Sequence, residues 1–225
     1  MQLDSVQIGV ADLATAAPDY ACVLGLEPAR TAGGVVRFQF RRGAVELETG
    51  AAGIHSLRFV PDDGPAPAWP TDREAFNGLD VRVGPACAAA EAGLIAPDSV
   101  HAIDHVVINT PDLDRAITLW RDRLGIRLAL DREFPHRGLR MAFFRSAGMT
   151  LEFVGSLPRP ASGGPDRCFG LAYHVEDLAA CRARLLRAGV DVSEVRDGNK
   201  AGTIVATVRS RTAGVPTLLI AHVRS

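Results

Sequence analysis

The sequence predicts an α+β fold assembled from tandem strand–helix–three-strand (βαβββ) units. Three observations carry that prediction. Residues 3–25, LDSVQIGVADLATAAPDYACVLG, align without a gap with residues 103–125, IDHVVINTPDLDRAITLWRDRLG, and Asp4/Asp104, Val6/Val106, Ile8/Ile108, Asp12/Asp112, Leu13/Leu113, Ala16/Ala116, Leu24/Leu124 and Gly25/Gly125 are identical pairs. Around the second copy, short β-branched runs surround one stretch of helical periodicity. The strand, Asp-Leu helix start and closing glycine then return at an offset of 65 in CFGLAYHVEDLAACRARLLRAG. A repeat of this kind sets the architecture before any chemistry is assigned.

Taken in order, MQLDSVQIGV is a strand, residues 12–24 a helix that Pro18 is expected to shorten or kink, and GVVRFQF and GAVELETG two further strands. GIHSLRFVPDD repeats the strand opening at an offset of 50 and sets His55 level with His105. GPAPAWP then stands in place of a helix, and GLDVRVG is the one further strand of this unit, which is degenerate. The segment ACAAAEAGLIAPD leads into the second half. The chain therefore divides into an N-terminal domain, residues 1–99, and a better-kept C-terminal domain, residues 100–225.

In the second half, HAIDHVVINT is a strand ending at a Thr-Pro-Asp turn. Leu113, Ile117, Trp120 and Leu124 form an apolar stripe at helical spacing, with Asp112 as N-cap and Gly125 as stop. IRLALDREF, LRMAFFRS and MTLEFVGS supply three strands, separated by PHRG and AG. SLPRPASGGPDR reads as a linker. The last unit closes with VSEVRDG, GTIVATVRS and PTLLIAHVRS.

Composition excludes several classes. The 25 basic and 26 acidic residues give a net charge of −1, which offers no electrostatic basis for binding nucleic acid or an anionic membrane. No apolar run reaches the roughly 20 residues of a membrane span. The start, MQLDSVQIGV, lacks a signal-peptide pattern. Cys22, Cys87, Cys168 and Cys181 show no CxxC spacing, and a reduced cytoplasmic protein is the expectation. GxSxG, GxGxxG and HExxH motifs and a phosphate loop are all missing. Cys181 falls on the apolar stripe with Leu178 and Leu185, which places it in a core rather than in a nucleophile's position.

Asp104-His105-Val106-Val107-Ile108, Pro111-Asp112-Leu113, Leu124-Gly125, Leu151-Glu152-Phe153 and the stretch Gly170 to Asp177 resemble the vicinal oxygen chelate superfamily. That group includes glyoxalase I, bleomycin-resistance proteins, methylmalonyl-CoA epimerase and extradiol dioxygenases. The resemblance is good over residues 101–225 and weaker over 1–100. It implies two cupped mixed sheets, each curled around a cavity, with metal ligands on the first and last strands of each unit. It further implies a protein acting on a small oxygen-bearing organic molecule in the C-terminal cavity, either as a lyase, isomerase or dioxygenase or as a metal-free sequestering protein of the bleomycin-resistance type. A structural or regulatory homologue with a closed cavity is the third reading. Partnership with a second copy of the chain stays open, because such relatives often share cavities between chains.

Carried over residue by residue, the resemblance implies that His105 and Glu152 hold a divalent ion (zinc, nickel, iron or manganese), or that Glu152 acts as the acid/base. The two remaining positions fall on Gly170 and, in the simplest alignment, Leu219. In the N-terminal half the corresponding residues are Ser5, Leu47 and His55; a slip of one residue would bring in Glu46 or Glu48 instead. His174 keeps the face of Gly170 but sits roughly 13 Å further along the strand. His222, three residues past Leu219, is expected to face away. His174, Lys200, Arg140 and Asn109 are the candidate substrate-binding residues. The simpler readings stay beside these: His105 and Glu152 as a buried hydrogen-bonded pair, Arg196 and Lys200 as a basic turn, His136 and Arg137 as solvated loop residues, and Trp120, Tyr173 and Phe143-Phe144 as core.

Overall fold

The computed structural model describes residues 1–30, 33–62, 64–85, 94–160 and 163–223. Cys87 and the rest of the ACAAAEAG segment lie outside the described residues. The first half contributes β1 (Gln2–Val10), α1 (Leu13–Leu24), β2 (Ala29–Arg30), β3 (Val36–Gln39), β4 (Ala44–Thr49), β5 (Gly53–Val60) and β6 (Asp80–Val83). The second half contributes β7 (Val100–Asn109), α2 (Leu113–Ile117), β8 (Arg127–Phe134), β9 (Leu139–Ser146), β10 (Met149–Ser156), β11 (Arg167–Val175), α3 (Leu178–Arg187), β12 (Arg196–Asp197), β13 (Thr203–Val208) and β14 (Thr217–His222). They form a six-stranded sheet, β2-β3-β4-β1-β5-β6, and an eight-stranded sheet, β12-β13-β14-β11-β7-β10-β9-β8.

The repeated Asp-Leu pairs start helices for a physical reason. Asp12 accepts hydrogen bonds from the N–H groups of Ala14 and Thr15, Asp112 from Arg115, and Asp177 from Ala180. Each thereby satisfies donors that the first helical turn leaves free. Gly25 and Gly125 end their helices at φ +69° and +72°, backbone that glycine adopts without strain. Two expectations change. Pro18 does not shorten α1, which runs through to Leu24. The helix after Asp112 is α-helical only to Ile117 and widens into a π-helical segment, Thr118–Arg123. That widening keeps Leu119 and Trp120 both buried.

One apolar core lies between the two sheets. Val6, Ile8, Phe38 and Leu47 of the smaller sheet and Val106, Ile108, Leu151, Phe153, Tyr173 and Leu219 of the larger one belong to a single buried cluster with the helix stripes. Trp120 is fully buried, and its ring centroid lies 6.2 Å from that of Phe59, 6.3 Å from Trp69, 5.9 Å from Phe76 and 5.5 Å from Phe153. α1 packs on β3 and β4, α2 on β9 and β10, and α3 on β13 and β14.

The other face of the large sheet is hollow. The β8–β9 and β12–β13 turns belong to opposite wings of the sheet and would stand roughly 30 Å apart if it were flat, at about 4.8 Å per strand. Yet Arg137 Nη2 donates to Asn199 Oδ1 at 3.3 Å, so the wings curl until their turns meet. The helices cover the core face. The wings therefore close over the face turned away from the helices.

Candidate active site

Strand parity sorts the residues of the hollow. On β7, Val106 and Ile108 point into the core, so His105, Val107 and Asn109 face the hollow. The parallel pairing of β10 with β7 sets Thr150 beside His105, Glu152 beside Val107 and Val154 beside Asn109. His105 Nε2 and Glu152 Oε2 are 3.7 Å apart, with 17% and 15% of the side chains exposed. The sequence-predicted pair therefore shares one face and lies within salt-bridge distance.

A β-bulge explains what flanks it. β7 and β11 pair as His105↔Ala172 and then Ile103↔Tyr173, so Asp104 is an extra, bulged residue. The bulge turns its carboxylate to the same side as His105. Asp104 Oδ1 lies 2.8 Å from His105 Nδ1, and Oδ2 lies 3.7 Å from His222 Nε2. His174 stacks beyond, 5.6 Å from the His222 ring and 6.3 Å from that of His101. A track of titratable groups thus runs Glu152–His105–Asp104–His222–His174 across the floor.

The charges in this track are tuned by burial and by each other. Burial raises the pKa of Glu152 above its ordinary value; the neighbouring His105 charge opposes the shift and that of Asp104 adds to it. Burial also pushes Asp104 up, but the hydrogen bond from His105 and the charges of His105, His222 and His174 outweigh it and hold the carboxyl low. Burial, followed by the nearby His222 charge, lowers His174.

The register corrects four sequence-based assignments. Leu171↔Thr217 matches Val106↔Leu151, so the counterpart of Glu152 in the last unit is Leu218; Leu219 is core. With Leu218 on the hollow face, the two-residue period brings Ile220 and His222 there as well, and His222 does not face away. In the first unit Val6 pairs with Val45, which makes Glu46 the counterpart of Glu152 and leaves Leu47 fully buried. In the degenerate unit His55 is the bulged residue between Ile8↔Ile54 and Gln7↔Ser56, as Phe169 is between Ile108↔Cys168 and Val107↔Gly170, so Ser56 rather than His55 corresponds to Gly170.

The other candidates separate. Asn109 faces the hollow and, with Leu139, Val154, Pro160, Pro165 and Arg167, lines a cavity of about 350 Å³ at one end of it. His174 joins the floor. Lys200 sits on the rim, in the same turn as Asn199. Arg140 is not a ligand residue: it has the parity of the core-facing Ala142 and is held by Asp114 at 2.7 Å and by Asp131 at 2.7 Å on the helix side. Phe143, paired with Glu152 across β9, is the hollow-face aromatic that the reading of Phe143-Phe144 as core overlooked; Phe144 is the buried one. On the β11, β13 and β14 side, the hollow-face wall includes the apolar group Ala172, Val205, Leu218 and Ile220.

Whether these residues suit a divalent ion can be judged from the donors. His105 and Glu152 supply two, but Gly170 and Leu218 supply none, and among the described residues no group of three or more His, Cys, Asp or Glu could hold a metal. Protein sites for catalytic zinc use at least three protein ligands. The donor set does not fit a resident ion. The N-terminal counterpart is filled differently. Glu46 accepts hydrogen bonds from Ser5 and from Arg37, whose guanidinium is 5% exposed and also lies 3.6 Å from Asp4.

Residues 104–207 match the family model of the Glyoxalase/Bleomycin resistance protein/Dioxygenase superfamily. A curated ethylmalonyl-CoA/methylmalonyl-CoA epimerase of Cereibacter sphaeroides is 29% identical over 100 residues, covering 40% of this chain and 72% of its own length. A methylmalonyl-CoA epimerase structure from Mycobacterium tuberculosis is 25% identical and covers 58% of this chain and 94% of its own, with a TM-score of 0.48. A mutant 4-hydroxymandelate synthase from Streptomyces coelicolor matches over 100% of this chain and 93% of its own with a TM-score of 0.73 at 15% identity. This last likeness concerns the fold, and it extends through the N-terminal half.

Proposed function

We propose, for a chain whose residues 104–207 belong to the glyoxalase, bleomycin-resistance and dioxygenase superfamily, that the C-terminal cup is an active site for proton transfer on a small oxygen-bearing organic substrate. The observation that carries the reading is the Glu152–His105 contact at 3.7 Å, with Glu152 mostly shielded from solvent and its pKa raised. A carboxyl poised nearer neutrality than usual is suited both to take and to return a proton. The reaction class is proton abstraction from carbon next to a carbonyl, which agrees with the epimerase named among the relatives. Glu152 is the acid/base. His105 is its partner: Asp104 fixes the Nδ1 side of the ring, so Nε2 is presented to the hollow, where its protonated form donates to the oxygen on which charge develops. Asn109 and the cavity beside it receive the rest of the substrate.

The test is α-proton exchange in D₂O, followed by NMR on a panel of acyl thioesters and carbonyl acids. Wild-type protein should catalyse exchange, and Glu152→Gln should lower it about 10²–10⁴-fold. Exchange that survives in Glu152→Gln removes Glu152 from the chemistry. A second reading, metal-free sequestration of a small molecule, draws on the apolar wall of Ala172, Val205, Leu218 and Ile220. Tight binding with no exchange in wild-type protein would select it.

A further inference from the structure

The hollow is unevenly charged. In the cross-strand row of His105 and Thr150 stands Arg145, and directly opposite Arg145 on the edge strand stands Arg127. Two rows along, Arg132 pairs with Met141 and Arg167 with Asn109. All four arginines are exposed, and among the described residues none forms an ion pair with a carboxylate. Arg132 lies 5.2 Å from the centre of the Phe134 ring. Among the described residues the carboxylates set on the hollow face are Glu152 and Asp104, and Asp104 already lies between two imidazoles. The smaller sheet differs: its outer-face Arg37, Arg58 and Arg82 are matched by Glu46, Asp4 and Asp80.

Two like charges directly opposite one another on neighbouring strands repel. Arg127 and Arg145 carry that cost without a counter-ion among the described residues. Inside a cup with low-dielectric walls, an unbalanced set of cations raises the local concentration of anions. Paired guanidinium forks match the planar oxygens of a carboxylate or a phosphate. The spacing suits a small molecule, since Arg145 is two strands from His105, roughly 10 Å by backbone. The row between holds Leu130, Phe143 and Glu152 in consecutive strands, an apolar seat ending at the acid/base.

We infer that the substrate is an organic anion whose oxyanion head is gripped by Arg127 and Arg145, whose carbon body lies over Leu130 and Phe143, and whose reacting carbon meets Glu152. This rests on the proton-transfer reading above and names its substrate class. Malonate and inorganic phosphate, titrated calorimetrically at low and high ionic strength with neutral malonamide as control, provide the test. Malonate, phosphate or both should bind saturably, more weakly at high salt, and malonamide should not. Binding of malonate alone identifies a carboxylate head, and of phosphate alone a phosphoryl head. Arg127→Gln and Arg145→Gln should each weaken binding about tenfold or more, as expected for a charged hydrogen bond. Arg145→Lys should keep part of the affinity. Arg121→Gln, which removes an equal charge from a helix surface, should change nothing. Saturable binding of neither anion, or equal losses in Arg121→Gln and Arg145→Gln, would overturn the inference. Anion binding that needs both arginines, in a protein without α-proton exchange, would refute the proton-transfer function and leave the anchor standing. Exchange with an unchanged KM in the Arg127→Gln/Arg145→Gln protein would do the reverse.

Discussion

Replacing Arg37 by methionine should destabilise the protein by about 3 kcal/mol, the lower part of the 3–5 kcal/mol range for removing one partner of a buried ion pair. The structure sets where in the range the cost falls. Arg37 is 5% exposed, and its partners Glu46 and Asp4 are 14% and 10% exposed. Without the guanidinium, the Ser5 hydroxyl at 3.3 Å is the one side-chain donor left to Glu46 among the described residues, a neutral donor for a largely buried group. Asp4 retains Arg58 at 3.7 Å, which limits the damage. In a chain of this size about 3 kcal/mol corresponds to a fall of roughly 6–12 °C in melting temperature. Urea unfolding followed by circular dichroism would measure the loss. Arg37→Met/Glu46→Met removes both charges and should recover at least about 2 kcal/mol of it, the coupling expected of residues in direct contact. A loss below about 1 kcal/mol for Arg37→Met, or a double variant no more stable than the single one, would refute the view that the N-terminal counterpart of the site is a closed salt bridge.

Four further outcomes follow from the site and the core. A raised Glu152 pKa means that the protonated carboxyl favours folding below its ordinary value of 4.5 and that this contribution is lost as pH rises through the folded value; Glu152→Gln should therefore be more stable than wild type at pH 7, and the gain should vanish below about pH 4.5 in pH-dependent melting curves. His174, lowered from 6.5 by burial and by the charges of His222, His101 and Arg42 against that of Asp104, weakens the fold on protonation, so His174→Asn should flatten the fall in stability as pH drops from 7 to about 5. Trp120→Ala should cost about 3–5 kcal/mol and still give one unfolding transition, whereas Trp120→Phe should cost under about 1.5 kcal/mol, because it also removes an indole N–H that has no partner among the described residues. Phe143→Arg should pin Glu152 as Arg37 pins Glu46, abolishing both α-proton exchange and the pH-dependent difference between Glu152 and its Gln variant; exchange at the wild-type rate would contradict the equivalence of the two positions.

The repeat, the helix caps and the strand order of the second half were readable because they depend on periodicity and on Asp, Gly and Pro at set places. The Glu152–His105 pair came instead from the family resemblance of the strands that carry the two residues, and the structure sets them 3.7 Å apart. Register was harder. In AVELET the alternation of Glu46, Leu47 and Glu48 fits either face, and in TLLIAH two adjacent leucines offer the same side chain at both registers. Only pairing to the central strand decides between them, and a shift of one residue moves every side chain to the other face. Bulges are less visible still. Asp4 and Asp104, and likewise His55 and Phe169, occupy matching bulges, yet nothing in their local composition marks an extra residue. LRMAFFRS does not alternate cleanly, so Arg140 could be placed in the hollow until the Asp114 and Asp131 bridges located it on the helix side.

The two carboxylates at equivalent positions show how one fold can keep a group and change its use. Glu46 faces Arg37 across β3 and β4; Glu152 faces Phe143 across β9 and β10. A guanidinium at that position supplies the opposite charge permanently and engages one carboxylate oxygen while Ser5 engages the other, which ties the group into the fold. A phenyl ring excludes water from the carboxylate without pairing it, which disfavours the ion and leaves the group able to change protonation state. The second arrangement is costly to stability, because the ionised carboxylate is left partly desolvated with only an imidazole beside it. Retaining a costly carboxylate in one half, while the other half neutralises its equivalent, is the pattern expected when one copy serves the fold and the other serves a substrate.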